Sequence, residues 1–280
     1  NTGATINFTG GGLTISTTGG AGFSATGGGT VNVTGSGNTI TGGSGTALNV
    51  ANTNIGASGM TFQSISANGA ANGIVLNSTG TSGGLTVTGT GTTDGTGGTI
   101  QNISNRGASF INASNITLKN MNFTNTATAA GAPCGSAAVA GANTGCNAAI
   151  HLDTVSTVAL DNLNLTTSSQ QGINGIAVTG FTLSNSALSG LGNAPDEDGL
   201  HFHNMLGTNS ITNTTIASSG DDNVNIQNLV ATASTINISG GSFNNGAQGS
   251  GLLFGIRGTS NTTINISGVT LDNNFSGGIV

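Results

Sequence analysis

The chain has 280 residues, 50 of them glycine, with three basic and nine acidic residues and a formal net charge of −6. Arg106, Lys119 and Arg257 cannot neutralise a phosphate backbone, so we expect no nucleic-acid partner. Glycine without a strict triplet period excludes collagen, and no apolar run approaches the length of a membrane span. Short bursts of alternating apolar residues instead indicate an ordered all-β protein.

The first hundred residues contain several short strand-like segments rich in Thr and Gly. They are "INFTG" (6–10), "LTIST" (13–17), "VNVTG" (31–35) and "LTVTG" (85–89). In each, apolar residues stand at every second position, which is typical of a strand with one buried face. We therefore expect the same β architecture here as in the rest of the chain, with smaller residues and a looser register.

A regular phrase begins at residue 118, in which Asn or Gly follows an apolar residue by two positions and precedes another by three. It occurs as "LKNMNF" (118–123), "LDNLNL" (160–165), "LSNSAL" (183–188), "ITNTTI" (211–216), "ISGGSF" (238–243) and "ISGVTL" (266–271). The intervals are 42, 23, 28, 27 and 28 residues. Both Asn and Gly tolerate the left-handed backbone region, so we predict a bend with positive φ at this position. We also expect a ladder of asparagine side chains from Asn120, Asn162, Asn185 and Asn213.

A second phrase alternates with the first and has two inward positions in each repeat. The predicted inward pairs are Ile150/Leu152, Ile176/Val178, Leu200/Phe202, Val224/Ile226 and Leu252/Phe254. Period-2 alternation inside a repeat of 23–28 residues requires several short strands per turn of a coil. The sequence predicts a single right-handed parallel β-helix over residues 1–280, with roughly ten coils and a length of about 50 Å. A large β-sandwich or barrel is the alternative.

The longest interval in the repeat contains a small, glycine-rich insertion at about residues 126–147. Its two cysteines, Cys134 and Cys146, are predicted to form a disulfide that pins a protruding loop. A disulfide suits an oxidising compartment, and the low lysine content agrees with it. We therefore expect an extracellular or cell-surface location.

Polar residues collect on the outer side of the second phrase. Since Leu200 and Phe202 point inward, His201 and His203 point outward. His151 falls in the same outward column as His201, with the strand at 174–180 between them, and Asp153 falls in the column of His203, so these four residues are the candidates for ligand binding. The alternative is that such outward positions simply face solvent.

Asp198 and Asp222 occupy the same position before adjacent strands, about one coil apart. Like charges at this distance raise one pKa or attract a cation, so these two residues are candidate metal ligands, with Ca²⁺ the expected ion. The alternative is that both side chains bond to their own turns. We expect no other cofactor.

These coils resemble the pectin-lyase-like superfamily of right-handed β-helices and, more narrowly, the polygalacturonase-type glycoside hydrolases. The matching phrases are "DEDG" (196–199), "GDD" (220–222) and "GSG" (249–251). The resemblance implies catalytic carboxylates at Asp198, Asp221 and Asp222 in an inverting hydrolysis. The family's histidine is replaced by Ser250, and its Arg-Ile-Lys phrase does not follow.

Over its whole length the chain looks more like the passenger regions and stalks of bacterial surface proteins. The segments "TGGGLTISTTGG", "TGSGNTITGGSG" and "LTVTGTGTTDGTGG" carry that likeness. It implies a structural or adhesive β-solenoid without catalysis, either a stalk or a filament-forming subunit. Its expected partners are further copies stacked end to end, neighbouring repeats of a longer chain, or cell-surface glycans. The alternative is a glycan-binding or glycan-hydrolysing enzyme.

Overall fold

The computed structural model describes residues 3–131, 146–230 and 233–280, which form a parallel β-solenoid of about ten turns. The strands belong to an 18-stranded and a 9-stranded sheet, and the paired strands are parallel. Among the described residues there is no helix, and so none that could span a membrane. The predicted all-β solenoid is confirmed.

Each turn has three sides, two from the larger sheet and one from the smaller. The first side contains β3 (Phe23–Thr26), β6 (Leu48–Ala51), β9 (Asn72–Asn77), β12 (Arg106–Ile111), β15 (Ala148–Asp153), β22 (Val224–Asn228), β25 (Ser250–Ile256) and β27 (Gly277–Ile279). The second side contains β1 (Thr5–Phe8), β4 (Thr30–Val33), β7 (Asn54–Phe62), β10 (Leu85–Val87), β13 (Ser114–Lys119), β16 (Ser156–Asp161), β23 (Ala233–Ser239) and β26 (Asn261–Ser267). Two long strands, β18 (Gln171–Ser184) and β20 (Leu200–Thr212), run across both sides.

The smaller sheet closes each turn as the third side. Its strands are β2 (Thr14–Thr17), β5 (Thr39–Gly42), β8 (Ser64–Asn68), β11 (Thr99–Gln101), β14 (Asn122–Thr126), β17 (Asn164–Ser168), β19 (Ala187–Leu191), β21 (Thr215–Ala217) and β24 (Ser242–Asn244). The three sides enclose one continuous apolar core.

On the first side, the core consists of apolar residues stacked in register from turn to turn. One such column is Ile150, Ile173, Leu200, Val224 and Leu252, and all five side chains are fully buried. The next inward column places Gly175 between Leu152 and Phe202. A Cβ at Gly175 would lie 2.3 Å from the Phe202 ring, so the glycine makes room for that ring.

The inward pair predicted for β18 is therefore partly wrong. Ile173 and Gly175 point inward on the first side, whereas Ile176 pairs with Asp153 and His203 on the outer side. Ala177 then adopts a φ of 51°, which turns the chain towards the second side.

The predicted left-handed bends are present at every repeat of the first phrase. The φ angles are 56° at Asn120, 53° at Asn162, 51° at Asn185, 49° at Asn213, 65° at Gly240 and 61° at Gly268. The asparagine ladder is only partial. Asn162 donates to Asn120 at 2.7 Å, but Asn185 donates to Asp161 at 2.8 Å instead of continuing to Asn162.

The predicted insertion lies between the third and first sides, since β14 ends at Thr126 and β15 begins at Ala148. Cys134 lies outside the described residues, so its disulfide with Cys146 stays a prediction. Cys146 itself is buried, and its carbonyl oxygen accepts a hydrogen bond from Nε of Arg106 at 2.9 Å.

Candidate functional site

The candidate site is at the start and on the outer side of the first-side strands, where mostly polar residues form three columns. The columns contain Gln171, Asp198, Asp222 and Ser250; then His151, Asn174, His201 and Asn225; then Asp153, Ile176, His203 and Gln227. The predicted alignment of His151 with His201, and of Asp153 with His203, is confirmed. Regular stacking of the inward residues sets this register, because a slip of one residue would turn the apolar side chains outward.

The three histidines are buried, although they point away from the core. Their exposed fractions are 0% for His151, 6% for His201 and 1% for His203. The alternative that they face solvent is wrong. Ile176, which shares this outer side, is also fully buried and lies outside the core cluster. The outer side of the first-side strands is therefore packed at this position and is closed to bulk solvent.

The first column is a ladder of acceptor oxygens at the start of successive strands. Asp198 N–H donates to Oε1 of Gln171 at 2.6 Å, and Asp222 N–H donates to Oδ1 of Asp198 at 2.9 Å. Ser250 N–H donates in turn to Oδ1 of Asp222 at 2.5 Å. The side chains thus bond to the next turn of the solenoid and not only to their own. An amide can fill this role, as Gln171 does.

Two members of the ladder, Asp198 and Asp222, are nevertheless carboxylates. The carboxylate of Asp221 lies close to both of them. Burial, together with the charges of Asp198 and Asp221, raises the pKa of Asp222 to about 6, although the bond from Ser250 acts in the opposite direction. Burial and the charge of Asp198 also raise the pKa of Asp221. The predicted effect of like charges is present, and an ionised Asp222 costs stability that an amide would avoid.

Replacing Asp222 by Asn is expected to raise the free energy of unfolding by about 2 kcal/mol at neutral pH. Asn keeps Oδ1 for Ser250 N–H but removes the charge. Since the folded state binds the Asp222 proton more tightly than the unfolded chain does, the gain is full above pH 6 and vanishes below pH 3.8. Urea unfolding at several pH values measures it.

The matched comparison for this prediction is Asp222→Ala, which also removes the charge but leaves Ser250 N–H without its acceptor. We expect it to be about 1–3 kcal/mol less stable than Asp222→Asn. An Asn variant less stable than the unchanged chain at neutral pH would contradict the prediction.

Hydrogen bonds between Asp198 and His201 and between His201 and His203 connect the first column to the other two. Oδ2 of Asp198 lies 2.5 Å from Nδ1 of His201, and Nε2 of His201 lies 2.8 Å from Nε2 of His203. Because the carboxylate accepts the hydrogen on Nδ1, Nε2 of His201 is left as the acceptor of a hydrogen from His203. Burial, followed by repulsion from the positive charge that His201 carries when protonated, lowers the pKa of His203 to about 4, so the His203 ring is neutral at pH 7.

His151 has a different set of neighbours. Its Nδ1 lies 3.0 Å from Nδ2 of Asn174, which donates to it. Burial and then the charge of Arg106 lower the pKa of His151 to about 3. Nε2 of His151, Oδ1 of Asn174 and Nδ1 of His203 are buried and have no hydrogen-bond partner. This outer side therefore contains polar atoms whose bonding capacity the protein does not use.

The three carboxylates implied by the polygalacturonase resemblance are brought together. One oxygen from each of Asp198, Asp221 and Asp222 lies within 4.8 Å of the others. Ca²⁺ prefers six to eight oxygen ligands. Both oxygens of Asp198 already accept hydrogen bonds, and so does Oδ1 of Asp222. The arrangement therefore suits acid–base chemistry better than the expected Ca²⁺.

Sequence reasoning missed Gln171, Asn174 and Arg106. Gln171 and Asn174 each stand one repeat before a predicted site residue, so the repeat spacing could have identified both. Arg106 begins β12, in a turn of the solenoid that contains neither His nor Asp, so the repeat spacing does not single it out. Its Nη1 is 3.3 Å from Oγ of Ser109, and burial lowers its pKa while the charge of Asp153 raises it.

No protein family model, curated protein or solved structure significantly matches this chain.

Proposed function

We propose that the chain is a rigid structural segment of an extracellular surface protein, such as a stalk, an adhesin or a filament subunit. In this proposal it belongs to the right-handed, pectin-lyase-like β-helices. The observation that carries the proposal is the unbroken parallel pairing of the first side from β3 to β27. Each turn stacks on the previous one through backbone hydrogen bonds, which favours a stiff rod. The low lysine content and the predicted disulfide favour an oxidising exterior.

Apolar side chains are exposed at the first and last described turns. Ile6 and Phe8 are 58% and 39% exposed and line a groove of about 560 Å³ that reaches Phe23. At the other end Phe275 and Val280 are 80% and 59% exposed. Exposed apolar surface beside unpaired strand edges favours stacking of another coil. We infer that the terminal turn of a second copy covers these surfaces.

Negative-stain electron microscopy over a range of concentrations tests this function. We expect rods that lengthen by end-to-end addition as the concentration rises. Phe8→Lys places a charge at the groove and should shorten the rods, whereas Thr88→Lys, at an exposed position away from both terminal turns, should not. Particles of one short length at every concentration would contradict end-to-end stacking.

A second candidate function is glycan binding or hydrolysis. It is favoured by the raised pKa values of Asp221 and Asp222 beside Asp198, because a protonated and an ionised carboxyl at one site are the requirement for acid–base hydrolysis. The oxygens lie within 4.8 Å, which is shorter than the roughly 6.5–9.5 Å typical of inverting pairs. This separation does not match the inverting mechanism that the resemblance implies. The anomeric configuration of any product would therefore show whether hydrolysis proceeds with inversion or retention.

A panel of neutral polysaccharides tests this second candidate. Reducing ends should appear with the unchanged chain and with Asp272→Asn, an exposed control, but not with Asp222→Asn. Because Asp222→Asn keeps the acceptor ladder, a lost activity would not reflect a lost fold. Inactivity of the unchanged chain on the whole panel would reject the hydrolase and leave glycan binding to be measured by titration.

A further inference from the structure

His201 and His203 face each other, nitrogen to nitrogen, on the outer side of β20. Their Nε2 atoms are 2.8 Å apart, and both side chains are buried. Two imidazole nitrogens that bind one metal ion at 2.0–2.1 Å are about 2.9 Å apart at the right angle of a tetragonal Cu²⁺ site, and about 3.3 Å apart at the tetrahedral angle of a Zn²⁺ site. The separation in the metal-free chain therefore matches a Cu²⁺ site, and the two rings need to move apart by about 0.5 Å to bind Zn²⁺.

The surroundings of His201 match those of a metal-binding histidine. Asp198 accepts the hydrogen on Nδ1, which fixes the tautomer and leaves the Nε2 lone pair directed towards His203. Such a carboxylate behind the imidazole is the usual partner of a metal-bound histidine. Asp221 also lies close enough to His201 for their charges to interact. A cation at this position is therefore attracted by two carboxylates.

We propose that His201 and His203 bind a divalent first-row transition metal ion, Zn²⁺ or Cu²⁺, through their Nε2 atoms, with Asp198 as a positioning residue. On metal binding the hydrogen on Nε2 of His203 moves to Nδ1 of the same ring, which has no hydrogen-bond partner in the metal-free chain. Imidazole nitrogens select these ions over Ca²⁺ and Mg²⁺. Asn174 lies beside His201 in the preceding turn, and its buried, unpartnered Oδ1 can accept a hydrogen from a metal-bound water. The proposal is independent of both functions above, because neither uses a metal.

Titration calorimetry with Zn²⁺ on the untagged, metal-free chain tests the proposal. We expect one ion per chain with a micromolar or tighter dissociation constant. His203→Gln should weaken binding at least tenfold, and Asp198→Asn, which keeps the acceptor oxygen for Asp222 N–H, should weaken it about 10–100-fold. His151→Asn is the matched control, because it changes the other buried histidine of the outer side and should leave the affinity unchanged.

Electron paramagnetic resonance of the unchanged chain with one equivalent of Cu²⁺ adds a test that needs no variant. Hyperfine structure from two equatorial nitrogens is expected, and a spectrum with oxygen ligands only would overturn the proposal. An affinity unchanged in His203→Gln, or lost only in Asp222→Asn, would also overturn it, the second result by assigning the ion to the carboxylates. Circular dichroism of each metal-free variant separates loss of binding from loss of fold.

Discussion

Replacing Phe202 by Ala is expected to lower the free energy of unfolding by about 3–5 kcal/mol. The Phe202 side chain is fully buried, and its ring centroid lies 4.8 Å from that of Phe181. Gly175 in the preceding turn has no side chain that could fill the space left by the ring. The cavity therefore persists, and its cost adds to the lost burial of the ring. Urea unfolding followed by circular dichroism measures the change.

Thr88→Ala is the control for this prediction, because Thr88 is exposed and lies away from both terminal turns. We expect its effect to stay within about 0.5 kcal/mol. A comparable, small effect of Phe202→Ala would mean that neighbouring turns close the cavity. Since β20 also carries His201 and His203 on its opposite side, the Phe202 variant should in addition weaken metal binding at these residues.

Acidification is expected to destabilise the fold through His151, by up to about 5 kcal/mol. Burial and the charge of Arg106 lower the pKa of His151 from 6.5 to about 3 in the folded state. The unfolded chain therefore takes up the proton first. This contribution to stability is complete above pH 6.5 and is lost as the pH falls towards 3. Urea unfolding at a series of pH values in the presence of a chelator measures the loss.

His151→Asn isolates this contribution, because Asn retains an acceptor near the position of Nδ1 for the amide of Asn174. The lowered pKa of His203 acts in the same direction, whereas the raised pKa of Asp222 acts in the opposite one. The informative quantity is therefore the difference between the variant and the unchanged chain at each pH. Equal acid sensitivity of the two proteins would contradict the role given to His151.

The repeat can be recognised in the sequence, and the repeat leads to the fold and to the columns of the site. Asn120 and its counterparts mark the bends, because Asn and Gly adopt positive φ at little cost. Alternation around Leu200 and Phe202 sets which residues point inward. Parallel stacking then aligns His151 with His201 without further information.

The neighbours of those outward residues, in contrast, depend on how the turns pack in three dimensions. Alternation distinguishes the two sides of a strand but does not report what packs over the outer one, so the burial of His201 and His203 could not be derived. In β18, apolar residues occur at both odd and even positions, so alternation alone does not show whether Ile173 or Ile176 points inward. Ile173 points inward because Gly175, two residues later, then leaves the space that the Phe202 ring needs in the next turn. Stacking between turns also brings Asp222 N–H to Oδ1 of Asp198, although the two residues are 24 apart in sequence, while Oδ2 of Asp198 contacts His201 within the same turn.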